Sequence, residues 1–388
     1  MNTKLNGEEA VEQATPVAAQ TTLPEGFAGL TENDRGARFV TIGEIREAAE
    51  STLDSQTWDF LEGGSGDEVT LADNRAAFAS WKFRPSLLTG MAEPTTDTTF
   101  LGMSLSLPVL SAPFGADRLF DPEGHRAVAR ANQRFGTWSI VPEAGSFSLE
   151  AVAEAAPKAA RMFQLHPMGT DADVLRIARR AADAGYSALC LTCDCPTGGW
   201  RERNRRNRFG PAHEIVTGNY TAPGAQFTDH FLYPQRQWTW NRVADVLGQA
   251  ELPFMAKGIL TAEEARAAVG AGARAILVSN HGGRQLDGTP ASLDQLPEIV
   301  AEVGGEVDIA LDSGVRRGSD IVTALALGAD VVVLGRPVAM ALTAGGEDGV
   351  FRLLELLREE MINVMTLVGR PDIVSLDGTA LQPAVRRA

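Results

Sequence analysis

Several polar residues fall where apolar runs end, and their types are those of acid–base chemistry. Asp194 closes SALCLTCD (187–194), Lys257 lies at the end of LPFMAKG (252–258), and His281 follows ARAILVSN (273–280) with Arg284 just beyond. A histidine can take a proton, an aspartate can pair with the resulting imidazolium, and lysine and arginine can hold negative charge. Gln164 and His166 end another such run, ARMFQLH (160–166), and Thr192 and Ser279 stand beside Asp194 and His281. A second pattern follows two later runs: Asp312-Ser313-Gly314-Val315-Arg316-Arg317-Gly318 and Gly335-Arg336-Pro337. Glycine lets backbone N–H groups approach a phosphate closely, and a helix N-terminus favours its charge.

These residues act together only if the chain brings the ends of its apolar runs to one place. From residue 107 onward, strand-length runs alternate with segments of helical periodicity, such as 171–185 and 261–272. The runs are 108–115, 138–144, 160–166, 187–194, 252–258, 273–280, 307–314 and 331–337. Eight such units imply an α/β fold, a (β/α)8 TIM barrel over 107–375, in preference to an open doubly wound sheet. In a barrel the strand C-termini converge on one pocket, and the loops after the last two strands commonly hold a phosphate. Outside the repeat we expect a disordered leader (1–36), an N-terminal helical segment packed on the barrel (37–106) and a C-terminal tail (376–388). The long polar insertion 196–240 follows the fourth strand, so it should form a lid over the pocket.

Composition narrows the function classes. The 388 residues carry a formal net charge of −15, which argues against non-specific nucleic-acid binding and requires local arginines to attract an anionic substrate. Only four lysines occur, Lys4, Lys82, Lys158 and Lys257, and the last ends an apolar run where a charge needs a reason. No apolar run reaches spanning length, and the N-terminus lacks a signal-peptide pattern, so a soluble cytoplasmic protein is expected. Cys190, Cys193 and Cys195 lie close together in LCLTCDCP, but no second Cys or His pair follows at a zinc-ligand interval. They read as reduced thiols packed in a core, with no metal site.

The segments SNHGGRQLDG (279–288) and DSGVRRGSDIVTALALGADVVVLGRP (312–337) resemble signatures of the FMN-dependent 2-hydroxy acid oxidase family. That family includes glycolate oxidase, lactate monooxygenase, mandelate dehydrogenase and hydroxymandelate oxidase. FLEGGSGDE (60–68), APFGADRLFDPEG (112–124), FQL (163–165), LTCDCPTGGWRERNRRNRF (191–209) and AKGIL (256–260) add weaker similarity, in the family's order. The resemblance implies bound FMN, oxidation of a small anionic 2-hydroxy acid to the 2-keto acid, oxygen as electron acceptor, and a homo-oligomer, commonly a tetramer. It casts His281 as the base, Asp194 as its partner, and Arg284 with Arg201 as the carboxylate clamp. Lys257 would lie beside the flavin; Pro113, Gly115, Gln164, Thr192 and Ser279 would line or hydrogen-bond it. Asp312 would hold the ribityl chain, and Gly314, Arg316, Gly335 and Arg336 the phosphate.

The departures from the family pattern concern the substrate. Phe60 and His166 stand where relatives usually have tyrosine, and Pro142-Glu143-Ala144 replaces a Ser-rich stretch whose aromatic residue lines the pocket. Losing a buried hydroxyl from an anion site costs about 1–3 kcal/mol when its partner stays unpaired. A bulkier or differently substituted substrate than lactate or glycolate is therefore expected, touching Phe60 and His166. Gly115 and Gly199-Trp200-Arg201 resemble the lactate monooxygenase branch, which leaves oxidative decarboxylation open, as the altered pocket leaves open an FMN oxidase acting on a non-hydroxy-acid biosynthetic intermediate. The insertion is polar, unlike the apolar membrane-binding insert of some mandelate dehydrogenases, and this favours a soluble oxidase.

Overall fold

Each of the eight apolar runs contains one short strand, and the strands pair in parallel into a closed barrel. In chain order they are β1 (Val109–Ser111), β2 (Trp138–Val141), β3 (Arg161–Leu165), β4 (Ala188–Thr192), β5 (Phe254–Ile259), β6 (Ala275–Val278), β7 (Asp308–Leu311) and β8 (Val331–Leu334). The ring closes where Val332 of β8 stands opposite Val109 of β1. The computed structural model describes residues 39–220 and 237–384. The expected leader 1–36, residues 221–236 of the insertion and residues 385–388 lie outside the described residues.

Strands covered on both faces read as continuous apolar runs rather than alternating ones. One face fills the barrel interior with Leu110, Ile140, Met162, Cys190, Met255, Leu277 and Val333. The other packs against the surrounding helices through residues such as Phe163, Leu189, Leu191 and Val332. Among the described residues no helix is long and apolar enough to cross a membrane.

The N-terminal segment is only partly helical. Helices α1 (Ile42–Thr52), α2 (Ser55–Glu62) and α3 (Val69–Ala79) precede a strand, Trp81–Phe83, and a hairpin, Thr98–Phe100 with Met103–Leu105. The hairpin buries Phe100 edge-on against Trp138, centroids 6.3 Å apart, and so closes the floor of the barrel. The expected C-terminal tail is likewise ordered as far as it is described: Leu381–Pro383 pairs antiparallel with Trp81–Phe83. Strands of three residues are too short to display a period of two, which is why the sequence pattern misses them.

The described part of the insertion is tied down at two places. Arg203 reaches Glu68 at 2.5 Å and Asp59 at 3.4 Å, and the Phe209 ring lies 5.5 Å from that of Phe60. Further on, Gly218 N–H donates to Gly145 O at 3.0 Å, and the Asn219 side chain accepts from Leu149 N–H and donates to Glu143 O, each at 2.8 Å. The insertion thus joins α2 to the loop after β2, across the C-terminal mouth of the barrel.

Candidate active site

The site begins with an irregularity in β5. Its register with β6 shifts between Lys257 and Ile259, and Gly258 sits in the shift at φ +98°. A Cβ there would lie 2.6 Å from Asp194 Cβ and Cγ, so only glycine lets Asp194 pack against this strand. Lys257, 5% exposed, is turned inward, its Nζ 3.3 Å from Ser279 Oγ and 4.0 Å from Asp312 Oδ2.

His281 stands at the start of the loop after β6 at φ +59°, a left-handed conformation that histidine tolerates better than most residues but that still costs about 1–3 kcal/mol. The N-terminal extension holds that loop. Asn74 of α3 and Asn280 exchange side-chain amide hydrogen bonds of 2.8 and 2.7 Å. Ser65 donates from its N–H to Gly283 O at 2.8 Å and from its hydroxyl to Arg284 O at 2.7 Å. The His281 Nδ1 lies 3.1 and 3.0 Å from the two Asp194 oxygens. A carboxylate only accepts, so Nδ1 carries the hydrogen and Nε2 is the basic nitrogen.

Charge in this cluster is balanced by opposition. Burial alone would raise the Asp194 pKa, but Lys257 and His281 hold it well below the usual carboxylate range. For His281, burial and Lys257 push the pKa down, while Asp194 and Cys195 push it up and prevail. Lys257 is raised: burial opposes its charge, and Asp194 and Asp312 overcome that.

Arg284 is anchored by the C-terminal end of α2, whose last carbonyls lack intrahelical donors. Arg284 Nη1 donates to the carbonyls of Phe60, Leu61 and Gly63 at 2.7, 3.3 and 3.0 Å. Arg201 Nε donates to Arg284 O at 3.2 Å, so the two arginines expected to clamp a carboxylate are brought together. Burial, then repulsion from Arg201 and Arg336, lowers the Arg284 pKa well below its ordinary value. A guanidinium stays charged in proteins, so this marks positive charge awaiting an anion.

The two Gly-Arg segments, expected to bind a phosphate, stand at helix starts, with one arginine side chain engaged elsewhere. Gly314 at φ +97° passes so close to α3 that a Cβ would strike Asn74 O, and helices Gly318–Ala326 and Arg336–Val368 begin within the two Gly-Arg segments. Among the described residues, the Arg316 guanidinium hydrogen-bonds only Val315 O, at 2.9 Å, and burial, reinforced by Arg336, lowers its pKa to about 10. The Arg336 guanidinium is instead engaged by Leu61, Gly63 and Gly282 carbonyls at 2.9, 3.0 and 3.0 Å, with Glu62 O at 3.3 Å. Its side chain ties α2 to the loop that carries His281, so it is the backbone at the helix start beside Gly335 that could hold a phosphate.

The remaining positions fit a flavin. Gln164, Thr192, Lys257 and Ser279 are buried polar side chains near the C-terminal ends of β3 to β6. Gln164 donates to Thr192 Oγ1 at 3.0 Å and accepts from Glu143 N–H at 3.2 Å. Pro113 and Gly115 follow β1 at the same mouth; a Cβ on Gly115 would lie 2.9 Å from Ala144 O. Asp312 is buried and accepts from Ser313 Oγ at 2.6 Å. Polar groups for a heterocycle, a cation beside it, and Arg316 with two helix starts for a phosphate match the donor set FMN requires.

His166 does more than fill space. Glu143, buried after β2, accepts from His166 N–H and from its Nδ1, each at 2.8 Å, and from the Tyr220 hydroxyl. Burial opposes charge on His166, yet Cys195 and Glu143 raise its pKa to about 10. Phe60 packs under Arg284, whose Cζ is 5.2 Å from the ring centroid.

The expectation that all three cysteines are core thiols fails for Cys195. Cys190 is fully buried, but β4 ends at Thr192, alternation stops there, and Cys195 turns into the site with Sγ 3.7 Å from His281 Nδ1. Sequence reasoning also missed Asn74, and it saw Glu143 only as a lost serine. Tyr220 gave no signal, since its contact depends on how the insertion folds back.

The chain matches the FMN-dependent dehydrogenase family over residues 49–383. It is 40% identical to an L-lactate oxidase of Nostoc sp. over 357 residues, 88% of this chain and 98% of the relative. It is 40% identical to a 4-hydroxymandelate oxidase of Amycolatopsis orientalis over 340 residues, 85% of this chain and 95% of the relative. Human 2-hydroxyacid oxidase 1 is 37% identical over 358 residues, covering 89% and 97%. Among solved structures, mandelate oxidase with (S)-2-phenylpropionate superposes with a TM-score of 0.82 at 39% identity, covering 89% of this chain and 98% of the other.

Proposed function

Because the chain belongs to the FMN-dependent dehydrogenase family, we propose that it oxidises a 2-hydroxy acid to the 2-keto acid, with dioxygen as the final electron acceptor. The observation that carries the reading is the His281–Asp194 pair, 3.0 Å apart, set between buried Lys257 and the Arg201–Arg284 pair. Bound FMN supplies a two-electron acceptor. Arg284, with Arg201, binds the substrate carboxylate through the guanidinium edge that no described residue engages. His281 Nε2 takes the proton of the substrate hydroxyl, and Asp194 stabilises the imidazolium. Lys257 holds the negative charge that accumulates beside it. Gln164, Thr192, Ser279, Pro113 and Gly115 hold the flavin ring, Asp312 the ribityl chain, and Arg316, with the backbone at Gly314, Gly335 and Arg336, the phosphate.

The substrate is bulkier than glycolate or lactate. The wall supports this: Phe60 packs at a tilt against Phe209 and lacks a hydroxyl, and His166 is locked to Glu143. A cytoplasmic homotetramer completes the reading; the thiols, free of disulfides, suit a reducing compartment, and light scattering tests the assembly. The test of function is oxygen uptake by the yellow protein with a panel of aliphatic and aromatic 2-hydroxy acids, with the products identified. Formation of 2-keto acid and peroxide, faster with aryl acids than with glycolate, supports the proposal. Retention of FMN without turnover of any member refutes it.

A further inference from the structure

The catalytic mouth contains a nucleophile that hydroxy acid oxidation does not use. Cys195 Sγ lies 3.7 Å from His281 Nδ1 and 3.8 Å from Asp194 Oδ1, and the charge of the His166 imidazole favours its ionised form. Glu143 fixes that ring by accepting from its Nδ1 at 2.8 Å, and Tyr220 in turn donates to Glu143. Lys257 Nζ is 3.3 Å from the same His281 nitrogen, and Arg201 is close enough to feel charge on the sulfur. Cationic groups therefore approach the thiol from several elements: His166 at the end of β3, Lys257 on β5, His281 after β6 and Arg201 in the insertion. Among the described residues Asp194 is the one carboxylate in contact, and it is engaged by His281.

Such surroundings favour a thiolate. Burial alone would raise the Cys195 pKa, but His281 and His166 bring it to about 6, whereas burial drives Cys190 up to about 12 and Cys193 higher still. Asp194, Cys195 and His281 also have ligand atoms within 4.8 Å of one another, as a metal site would. A cation there would face the Lys257 ammonium, so the local charge selects an anion on sulfur instead.

We propose that Cys195 is a peroxide-reactive thiolate and that its oxidation to sulfenic acid reversibly switches off the His281–Asp194 pair. The thiolate attacks one oxygen of hydrogen peroxide; an S–O bond forms and the O–O bond breaks. The leaving hydroxide takes a proton from the His166 imidazolium and departs as water. Sulfur loses two electrons and peroxide gains them. Oxidation replaces a negative sulfur beside His281 with a bulkier neutral group, weakening the support for an imidazolium. A small thiol reverses the change in two steps: it condenses with the sulfenic acid to a mixed disulfide and water, and a second thiol releases Cys195. The reactivity follows from the side-chain cluster, and only the origin of the peroxide rests on the oxidase reading.

The test treats the purified holoenzyme with added hydrogen peroxide, without any hydroxy acid, and maps oxidation by peptide mass spectrometry. The result expected is one added oxygen on Cys195, none on Cys190 or Cys193, and reversal by dithiothreitol. In parallel, the alkylation rate of Cys195 by iodoacetamide should fall by about half near pH 6. Anaerobic flavin bleaching by a 2-hydroxy acid should slow at least about tenfold after peroxide and recover with the reductant. Cys195→Ser, whatever its starting rate, should change less than about twofold on the same exposure. Unmodified Cys195 after peroxide, or alkylation that sets in only near pH 9 as for an ordinary thiol, overturns the proposal even if hydroxy acids are oxidised. Oxidation of Cys195 that leaves bleaching unchanged overturns the switch.

Discussion

Replacing Asp194 by Asn removes the carboxylate but keeps its shape, and it isolates the electrostatic part of the site. With Nδ1 and oxygen 3.0 Å apart and an effective dielectric of about 20, the imidazolium–carboxylate attraction is on the order of 5 kcal/mol. Lys257 Nζ, 3.3 Å from the same nitrogen, opposes the imidazolium and would stand uncompensated in the variant. Breaking a buried pair at one partner costs about 3–5 kcal/mol. If that loss falls on the step in which His281 gains its proton, flavin reduction slows by about two to four powers of ten. Substrate affinity should change little, because Arg284 is anchored by α2 rather than by Asp194. The pH profile gives a second reading. His281 acts as a base only when neutral, and its pKa is raised in the parent with support from Asp194. In Asp194→Asn the acidic limb of the rate therefore moves to lower pH while the plateau drops. The assay is anaerobic stopped-flow bleaching of bound FMN across pH. A plateau within about tenfold of the parent, with FMN retained, would refute the electrostatic argument.

Glu143→Gln should destabilise the fold by about 3–5 kcal/mol. The raised His166 pKa contributes stability that is full below 6.5 and lost as pH rises through about 10, and the lowered Glu143 pKa contributes above 4.5 and is lost on acidification. The gap in Tm between parent and variant should be widest between these limits and close toward pH 10; a pH-independent gap would contradict the ion pair. Gly258→Ala forces a Cβ into Asp194 at φ +98°, so denaturant unfolding should show a loss of about 1–3 kcal/mol together with slowed flavin reduction. Arg284→Lys keeps the charge but loses the planar fork, and kcat/KM should fall on the order of a hundredfold, mostly through KM. Phe60→Tyr adds a hydroxyl next to Arg284 and should lower KM for lactate or glycolate by about fivefold, measured by oxygen uptake.

The barrel was readable because buried parallel strands leave continuous apolar runs, and all eight fall where those runs lie. The candidate site residues stood out for a related reason: Asp194, Lys257 and His281 interrupt or end such runs, where a packing role is unfavourable. What could not be read depends on long-range contacts. The Asn74–Asn280 amide pair joins residues far apart in sequence, and neither asparagine is unusual in its own segment. The Arg336 guanidinium looked like a phosphate ligand from its Gly-Arg context, but the open carbonyls at the end of α2 engage it. Cys195 reads like its neighbours because no second Cys or His pair follows it in sequence, and only the folded loop after Thr192 turns it toward His281.

The most direct test of the central claim is anaerobic addition of mandelate to the yellow holoenzyme and to its His281→Gln variant, followed by the visible flavin spectrum. The account predicts that the parent bleaches with mandelate and not with its O-methyl ether, which has no hydroxyl proton to give. The variant should keep its colour with mandelate yet still bleach on photoreduction, which shows that the flavin is bound and reducible. Bleaching of the variant at the parent's rate, or equal bleaching of the parent by the ether, would contradict proton removal by His281.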